Sequence, residues 1–168
     1  MARLYTQSSA YAPVAERGTS IQICFDPQPT ETEGYITCGY VTFYRKQHPY
    51  SLPIEDVKAA VLAAIRQATD DKILRGFQWD GKTVILNEES KFNFLSVLTM
   101  LQLNPGVFPQ TFKLNESEYH TFNSPEEYLQ FIAAVQQHLS DTYAAGWAAE
   151  QDIDWPVYES AIAAIYQN

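Results

Sequence analysis

The feature that most constrains the fold of this sequence is a duplicated plan of strand, tight turn, strand and capped helix. The plan occurs over residues 77–98 and again over residues 112–135. A single hairpin with one helix buries little apolar surface, so two tandem copies predict a scaffold in which helices cover the strands. We therefore predict an α+β protein with short antiparallel β-hairpins and helices packed on one side.

Local signals mark the turns and helix starts of both copies. Asp80-Gly81 predicts a two-residue hairpin turn, because both central positions of a type I′ turn require positive φ. Asn87 is placed to cap the first helix, and residues 124–127 read Ser-Pro-Glu-Glu, a capping box with proline at the first helical position. The second helix is expected to continue through residues 142–145, with Gly146 as a weak point. The apolar stripes predicted to face inward are Phe94, Leu98 and Leu101 in the first helix, and Tyr128, Ile132, Val135 and Leu139 in the second.

A long-looped hairpin is predicted ahead of this repeat. Residues 19–25 and 35–44 are rich in β-branched and aromatic side chains, as strands are. Pro27 and Pro29 lie between them and are not expected to continue a strand ladder. Residues 1–18 lack periodicity and predict a frayed terminus. The alternative is an extended arm that lies on a neighbouring subunit, with Tyr5 and Tyr11 as anchors.

Two further helices are predicted. Residues 53–74 carry proline and acidic residues in the first turn and an apolar residue at every third or fourth position. Residues 155–166 predict a terminal helix docked on the body through Tyr158, Ile162 and Ile165. The predicted organisation is an arm and hairpin over residues 1–50 and an α+β domain over residues 51–168.

Charge and hydropathy exclude several classes of partner. The 168 residues are 46% apolar and carry a net charge of −9, which repels phosphate backbones and anionic lipid heads. The longest apolar run, residues 59–65, is far shorter than the ~20 residues of a membrane span. We therefore expect neither nucleic acid nor a membrane as partner, and we expect synthesis in a cytoplasm.

The residues offer few candidates for chemistry. His48, His120 and His138 lack the spacing of metal ligands, so no metal or other cofactor is predicted. Cys24 and Cys38 are expected to be reduced structural thiols, with a cross-strand disulfide as the alternative.

Two catalytic arrangements are alternatives to a structural role for these residues. A Cys-His couple remains open, because such partners meet in space rather than in sequence. Asp152 and Asp154 could flank a sugar as an acid/base pair, although capping of the last helix explains them as well. Neither a phosphate-binding glycine loop nor a Gly-x-Ser-x-Gly motif is present, so we predict that the protein is not an enzyme.

Residues 73–139 resemble a known family. The segment Ile73-Leu74-Arg75-Gly76-Phe77-Gln78-Trp79-Asp80-Gly81-Lys82, the helix with Phe92-Asn93-Phe94, the second hairpin and the capped helix ending near His138 are similar to a domain-of-unknown-function family. That family is found in tailed phages and prophages, often at the C-terminal end of tail or tail-fibre-assembly proteins. The resemblance covers about residues 53–150 and implies a virion-associated or assembly role. It carries no catalytic residues over to this chain.

The resemblance leads to a functional expectation. We expect a non-enzymatic tail-associated structural protein or tail-fibre assembly factor, located in the virion or the host cytoplasm, that binds other tail or fibre proteins. Homo-oligomer formation stays open. A hydrolase acting on cell-wall polysaccharide and a host-encoded binding or regulatory module are the alternatives. Large aromatic side chains are the candidate partner-binding residues, with core packing as the alternative for each. They are Tyr35, Tyr40, Tyr44, Trp147 and Trp155.

Overall fold

The computed structural model describes residues 3–104, 106 and 108–167. It confirms the α+β class. The elements are β1 (Arg3–Gln7), a 3-10 turn (Ser8–Ala10), β2 (Val14–Arg17), β3 (Ser20–Pro29), β4 (Tyr35–Tyr44), α1 (Ile54–Arg75), β5 (Phe77–Trp79), β6 (Lys82–Val84), α2 (Glu88–Leu103), β7 (Gln110–Lys113), β8 (Tyr119–Phe122), α3 (Pro125–Gln151) and α4 (Trp155–Gln167).

The chain forms two compact units. One, the front unit, consists of the residues up to 68 and those from 146 onward; the other, the repeat unit, consists of residues 69–145. The chain from Gly146 onward therefore belongs with the front strands. Among the described helices, none combines the length and the apolar character that a membrane crossing requires.

The front unit is built on a four-stranded antiparallel sheet with strand order β1-β4-β3-β2. Its centre is the predicted hairpin, in which Ile21 lies opposite Phe43 and Ile23 lies opposite Val41. The expectation that the prolines end the first strand was wrong, since β3 runs on to Pro29. Pro27 has no amide hydrogen to donate to the ladder, and it lies in a bulge between Phe25 and Gln28, where the register shifts.

The prediction of a frayed first segment was also wrong for the described residues. β1 pairs with β4, with Tyr5 opposite Thr37, and β2 pairs with β3, with Val14 opposite Ile23. The arm therefore forms both edges of the chain's own sheet. Both strands are short and lack an apolar alternation, and the partner of β1 lies more than 25 residues further along the chain, so the sequence did not predict this pairing.

One face of the front sheet carries the core of this unit. Ile21, Ile23 and Phe25 are fully buried on alternate positions of β3. They pack with apolar side chains from the start of α1 and from α4, as the periodicity of both helices predicts. The buried helical residues in this cluster are Val57, Val61, Ile65, Tyr158 and Ile162.

The repeat unit contains the two predicted hairpin-helix copies, β5-β6-α2 and β7-β8-α3. Asp80 and Gly81 have φ of 48° and 72°, which confirms the two-residue turn. A backbone hydrogen bond joins the two hairpins. The amide of Ile85, just after β6, donates to the carbonyl of Leu114, just after β7, at 2.8 Å. The duplicated plan therefore forms one body with one core.

The helix starts follow the sequence signals. The Asn87 side chain accepts a hydrogen bond from the Ser90 amide at 2.8 Å, and Ser124 Oγ accepts from the Glu127 amide at 3.3 Å. Glu127 Oε2 accepts in return from the amide of Asn123, the residue before the cap, at 2.9 Å, so the bond is displaced by one residue from that of a standard capping box. Gly146 does not interrupt α3, which continues to Gln151.

An aromatic cluster forms the core of the repeat unit. Phe122, Tyr128 and Phe131 are fully buried, and Phe94 makes an edge contact with Phe131 at 4.9 Å between ring centroids. The hydroxyl of Tyr128 donates to the carbonyl of Phe94, so α3 is tied to α2 inside the core. Six of the seven residues predicted to face inward lie in or against this cluster, and Leu101 is not among them. Val97 and Phe131, which were not predicted, are buried there as well.

Candidate protein-binding surfaces

A pair of stacked tyrosines lies on the front sheet, where β1 meets β4. The rings of Tyr5 and Tyr35 are 5.0 Å apart and nearly parallel, and 53% of Tyr5 is exposed. Gln7 Nε2 donates to the Tyr35 hydroxyl at 3.1 Å. Residues 3, 5 and 7 of β1 point to one side, so this pair and its neighbours share a face. We call this the tyrosine surface.

Arg3 extends the tyrosine surface and is held by several hydrogen bonds. Its Nη1 lies 3.1 Å from Asp26 Oδ2, its Nη2 donates to the Asp26 carbonyl at 2.9 Å, and its Nε donates to Thr37 Oγ1 at 3.3 Å. Asp26 has φ of 48° in the β3 bulge, a conformation that Asp tolerates better than most residues. The bulge thus aims this carboxylate at Arg3, and these hydrogen bonds hold the guanidinium in one orientation.

An open cleft of about 500 Å³ lies in the same unit and shares Asp26 with the tyrosine surface. Asp152 and Asp154, which precede α4, line it together with Tyr11 and Val157. The sequence indicated these aspartates only weakly, as an acid/base pair or as caps of the last helix. The structure brings both into one concave site with a third carboxylate.

The other predicted binding residues do not join this site. Tyr40 and Tyr44 occupy even positions of β4 and therefore face the side of the sheet opposite Tyr35. Trp155 is half-buried against the front core, with its ring 5.8 Å from that of Tyr158. Trp147 is 61% exposed on α3. The five candidates are thus spread over several surfaces.

Sequence reasoning missed Arg3, Gln7 and Asp26. The alternation of β1, in which Arg3, Tyr5 and Gln7 share one face, is a signal that could have found two of them. Asp26 had no local signal, because its role depends on the bulge.

The two cysteines are buried, free thiols on neighbouring strands. Burial, together with the nearby Cys38, raises the pKa of the Cys24 thiol to about 12. Cys24 is therefore protonated at neutral pH and lacks the thiolate character of a nucleophile. Burial also raises the pKa of the Tyr158 phenol, whose hydroxyl donates to the Cys24 carbonyl at 2.8 Å.

A polar network in the repeat unit fixes His120. Its Nδ1 lies 3.3 Å from Lys82 Nζ and its Nε2 lies 2.9 Å from Glu127 Oε1. Because an ammonium group only donates, Nδ1 accepts and Nε2 carries the proton that is donated to Glu127. The hydrogen bond from the Asn123 amide, followed by that from His120, lowers the pKa of the Glu127 carboxyl. The network braces β6, β8 and α3.

Metal binding has no support in the described part of the chain, where His, Cys, Asp and Glu form no group of three that could hold an ion. The expectation of no metal stays a prediction.

Comparison with known proteins gives a family match for most of the chain. Residues 56–166 match a family model described as "Domain of unknown function (DUF4376)". The match begins in α1 and ends in α4, so it contains the whole repeat unit and leaves out the front strands. No curated protein and no solved structure matches the chain.

Proposed function

The chain belongs to the DUF4376 family of unknown function, and from that premise we propose that it is a non-enzymatic phage or prophage component. Its role is that of a tail-associated structural protein or a tail-fibre assembly factor, and it acts by binding other tail or fibre proteins. It works in the virion or in the host cytoplasm.

The observation that carries this proposal is the tyrosine surface. Tyr5 is exposed and yet held in place by stacking on Tyr35, and Arg3 beside it is fixed by Asp26. Tyr and Arg are enriched among the residues that dominate binding energy. Side chains that are already ordered lose less conformational entropy on association, so the entropic cost of binding at this surface is small.

The adjacent cleft indicates the chemistry of the partner. Asp152, Asp154 and the Arg3-paired Asp26 line it, and the chain as a whole carries a net charge of −9. Such a cleft attracts Lys or Arg and repels acidic segments. The segment of the tail or fibre protein that reaches the cleft is therefore basic, and the association weakens as salt is added.

Affinity capture tests the proposal. The tagged chain is expressed with the neighbouring genes, and the eluate is expected to contain a tail or fibre protein. The double variant Tyr5→Ala/Tyr35→Ala is expected to lower the captured amount by about tenfold or more, because it removes the preorganised contact. Tyr119→Ala is the matched control, since Tyr119 is 61% exposed but lies in the repeat unit. Tyr44→Ala tests the opposite face of the front sheet.

Mass spectrometry of purified particles provides the second measurement. Detection of the chain supports a virion component, and capture without detection supports an assembly factor. If the chain is absent from particles and a host protein is captured instead, the host-encoded regulatory alternative replaces the proposal.

A hydrolase is the second candidate, and one observation favours it: Asp152 and Asp154 meet in a cleft. Paired carboxylates in a concave site can serve as general acid and base toward a glycosidic bond. Incubation of the protein with purified cell-wall polysaccharide tests this candidate. Released reducing ends that disappear in Asp152→Asn/Asp154→Asn would support it, whereas no release by the wild-type protein would exclude it.

A further inference from the structure

Strand β1 has one edge that is not paired with another strand. It lies at one end of the described sheet, whose order is β1-β4-β3-β2, so only its side toward β4 is paired. The amide of Ser8 donates to the carbonyl of Gly34 at 2.8 Å, one step beyond the last pair of the ladder. Because hydrogen-bonded and non-hydrogen-bonded pairs alternate in an antiparallel ladder, the even-numbered residues of β1 bond to β4. The backbone amides and carbonyls of Tyr5 and Gln7 therefore point away from β4, toward the open edge.

These outward groups have little other hydrogen bonding in the described part of the chain. The contact found there is long, with the Thr6 hydroxyl 3.5 Å from the Gln7 carbonyl oxygen. A row of alternating donors and acceptors on a strand edge matches the backbone of one kind of ligand, an extended peptide segment. The edge of β1 therefore has the chemistry of a site for strand addition.

The opposite edge of the same sheet is protected against strand addition. Pro13, just before β2, has no amide hydrogen, Glu16 forms a 2.9 Å ion pair with Arg45, and α4 packs against β2. Proline, charge and a covering helix are the means by which proteins prevent pairing at sheet edges. β1 contains no proline, and the described helices do not pack extensively on it. Its one charged residue, Arg3, is compensated by Asp26 at 3.1 Å.

From this contrast we infer that the free edge of β1 binds an extended segment of the partner protein, which joins the four-stranded sheet as a further strand. The inference rests on the proposed function, since the partner is the tail or fibre protein, and it specifies how that protein binds. A strand beside β1 places alternate side chains next to Tyr5, so the edge and the tyrosine surface form one continuous site. Aromatic or β-branched side chains at those positions fit the exposed Tyr5 ring.

Charge favours a basic partner segment over a second copy of the chain. Two copies would each bring a net charge of −9 to the contact, and like charges repel each other. A segment that carries Lys or Arg is attracted instead, as it is by the cleft that shares Asp26 with the tyrosine surface.

A proline substitution tests the inference, because it removes one outward amide hydrogen and leaves the pairing with β4 intact. Gln7 has φ of −65° and ψ of 140°, values that proline adopts without strain. The proline ring of Gln7→Pro also occupies the space where the carbonyl of an added strand would accept the hydrogen bond. Gln7→Ala is the matched control, since both variants lose the Gln7 side chain but only Gln7→Pro loses the amide hydrogen.

The two variants are compared by affinity capture from cells that express the neighbouring genes. Gln7→Pro is expected to retain roughly tenfold less tail or fibre protein than Gln7→Ala. Urea denaturation is expected to give Gln7→Pro a midpoint no lower than that of Gln7→Ala, which separates a loss of binding from a loss of the fold. Equal capture by the two variants would overturn the inference and leave the proposed function standing, because the partner would then bind through side chains alone.

A synthetic peptide tests the edge itself. The probe has about ten residues, alternates Thr with Tyr and carries Lys at both ends. Its control carries N-methyl groups on adjacent central residues, which prevent pairing on either side. At about 1 mM peptide, the amides of Tyr5 and Gln7 are expected to exchange hydrogen more slowly with the unmodified probe only, as measured by NMR.

The peptide decides the case in which the wild-type chain captures no tail or fibre protein. Slower exchange at Tyr5 and Gln7 would then show that the edge takes an extended segment and that the proposed function names the wrong partner. Unchanged exchange would overturn the inference together with the proposed function. A dimer of the wild-type chain that Gln7→Pro abolishes and Gln7→Ala retains would overturn it in favour of a second copy.

Discussion

The hydroxyl of Tyr158 donates a hydrogen bond to the backbone carbonyl of Cys24 at 2.8 Å, although the two residues are 134 positions apart. Both are buried in the front unit, Tyr158 on α4 and Cys24 on β3. The contact ties the terminal helix to the central hairpin of the sheet. It also gives a buried carbonyl of β3 a partner at a position near the bulge.

Removal of this hydrogen bond is expected to destabilise the protein. Tyr158→Phe keeps the ring but leaves the Cys24 carbonyl with only the long 3.5 Å contact from the Tyr11 hydroxyl. The expected loss in the free energy of unfolding is about 1 to 2 kcal/mol, measured by urea denaturation. Tyr166→Phe is the matched control, because its hydroxyl donates to the His48 carbonyl at a half-buried site on the same helix. A loss no larger than that of the control would contradict the expectation.

Alkaline pH is expected to destabilise the protein through Cys24. The thiol ionises near 9.0 in the unfolded chain, whereas the folded protein raises its pKa to about 12. Between these values the unfolded state binds fewer protons than the folded state, so the free energy of unfolding falls as pH rises. This contribution is fully present below pH 9.0 and is lost as pH approaches 12.

Denaturation curves between pH 8 and 10 measure this slope, and Cys24→Ala is expected to flatten it. Cys38→Ala is the control for the loss of a buried thiol. It is expected to retain most of the slope, since burial is the larger cause of the Cys24 shift. Equal slopes in the wild-type protein and Cys24→Ala would argue against the assignment.

Acidic pH is expected to destabilise the repeat unit through Glu127. Its pKa is lowered below 4.5 by the Asn123 amide and by His120. The stabilisation is present above pH 4.5 and is lost as pH falls through the lower, folded value. Glu127→Gln is expected to show a weaker dependence on pH over this range in thermal unfolding. Glu126→Gln removes a like charge from the same helical turn and is expected to keep the wild-type dependence.

Gly76, between α1 and β5, is expected to tolerate no side chain. It has φ of 74°, and a Cβ there would lie 1.6 Å from the carbonyl oxygen of Val84. Because backbone cannot give way cheaply, Gly76→Ala is expected to cost at least about 3 kcal/mol in the free energy of unfolding. Gly81→Ala has similar strain at φ of 72° but open space around the Cβ, so about 1 kcal/mol is expected. Chemical denaturation of both variants measures the difference, and equal losses would show that the clash with Val84 is relieved.

The structure bears out the signals that act over short distances. The Asp80-Gly81 turn, the Asn87 cap and the Ser124 cap form as predicted, because each depends on residues within a few positions of one another. The inward helix stripes were predictable for the same reason.

Contacts between distant strands were not predictable in this way. The pairing of β1 with β4 and the continuation of β3 through Pro29 depend on partners and on a bulge that leave no local pattern. The candidate site could be predicted only in part, for the same reason. Tyr35 and Asp152 were named from the sequence, but Arg3 and Asp26 acquired their roles only when the bulge brought them together.

The sequence by itself determined the helices, the two hairpin-helix copies and the chemistry available to them, because turn, cap and amphipathic signals are local. Only the tertiary structure decided which aromatic side chains are exposed, where the aspartates meet, and that the arm completes the sheet. Those outcomes depend on packing between segments that are far apart in the chain. The free energy of such packing depends on both segments and cannot be inferred from either one alone.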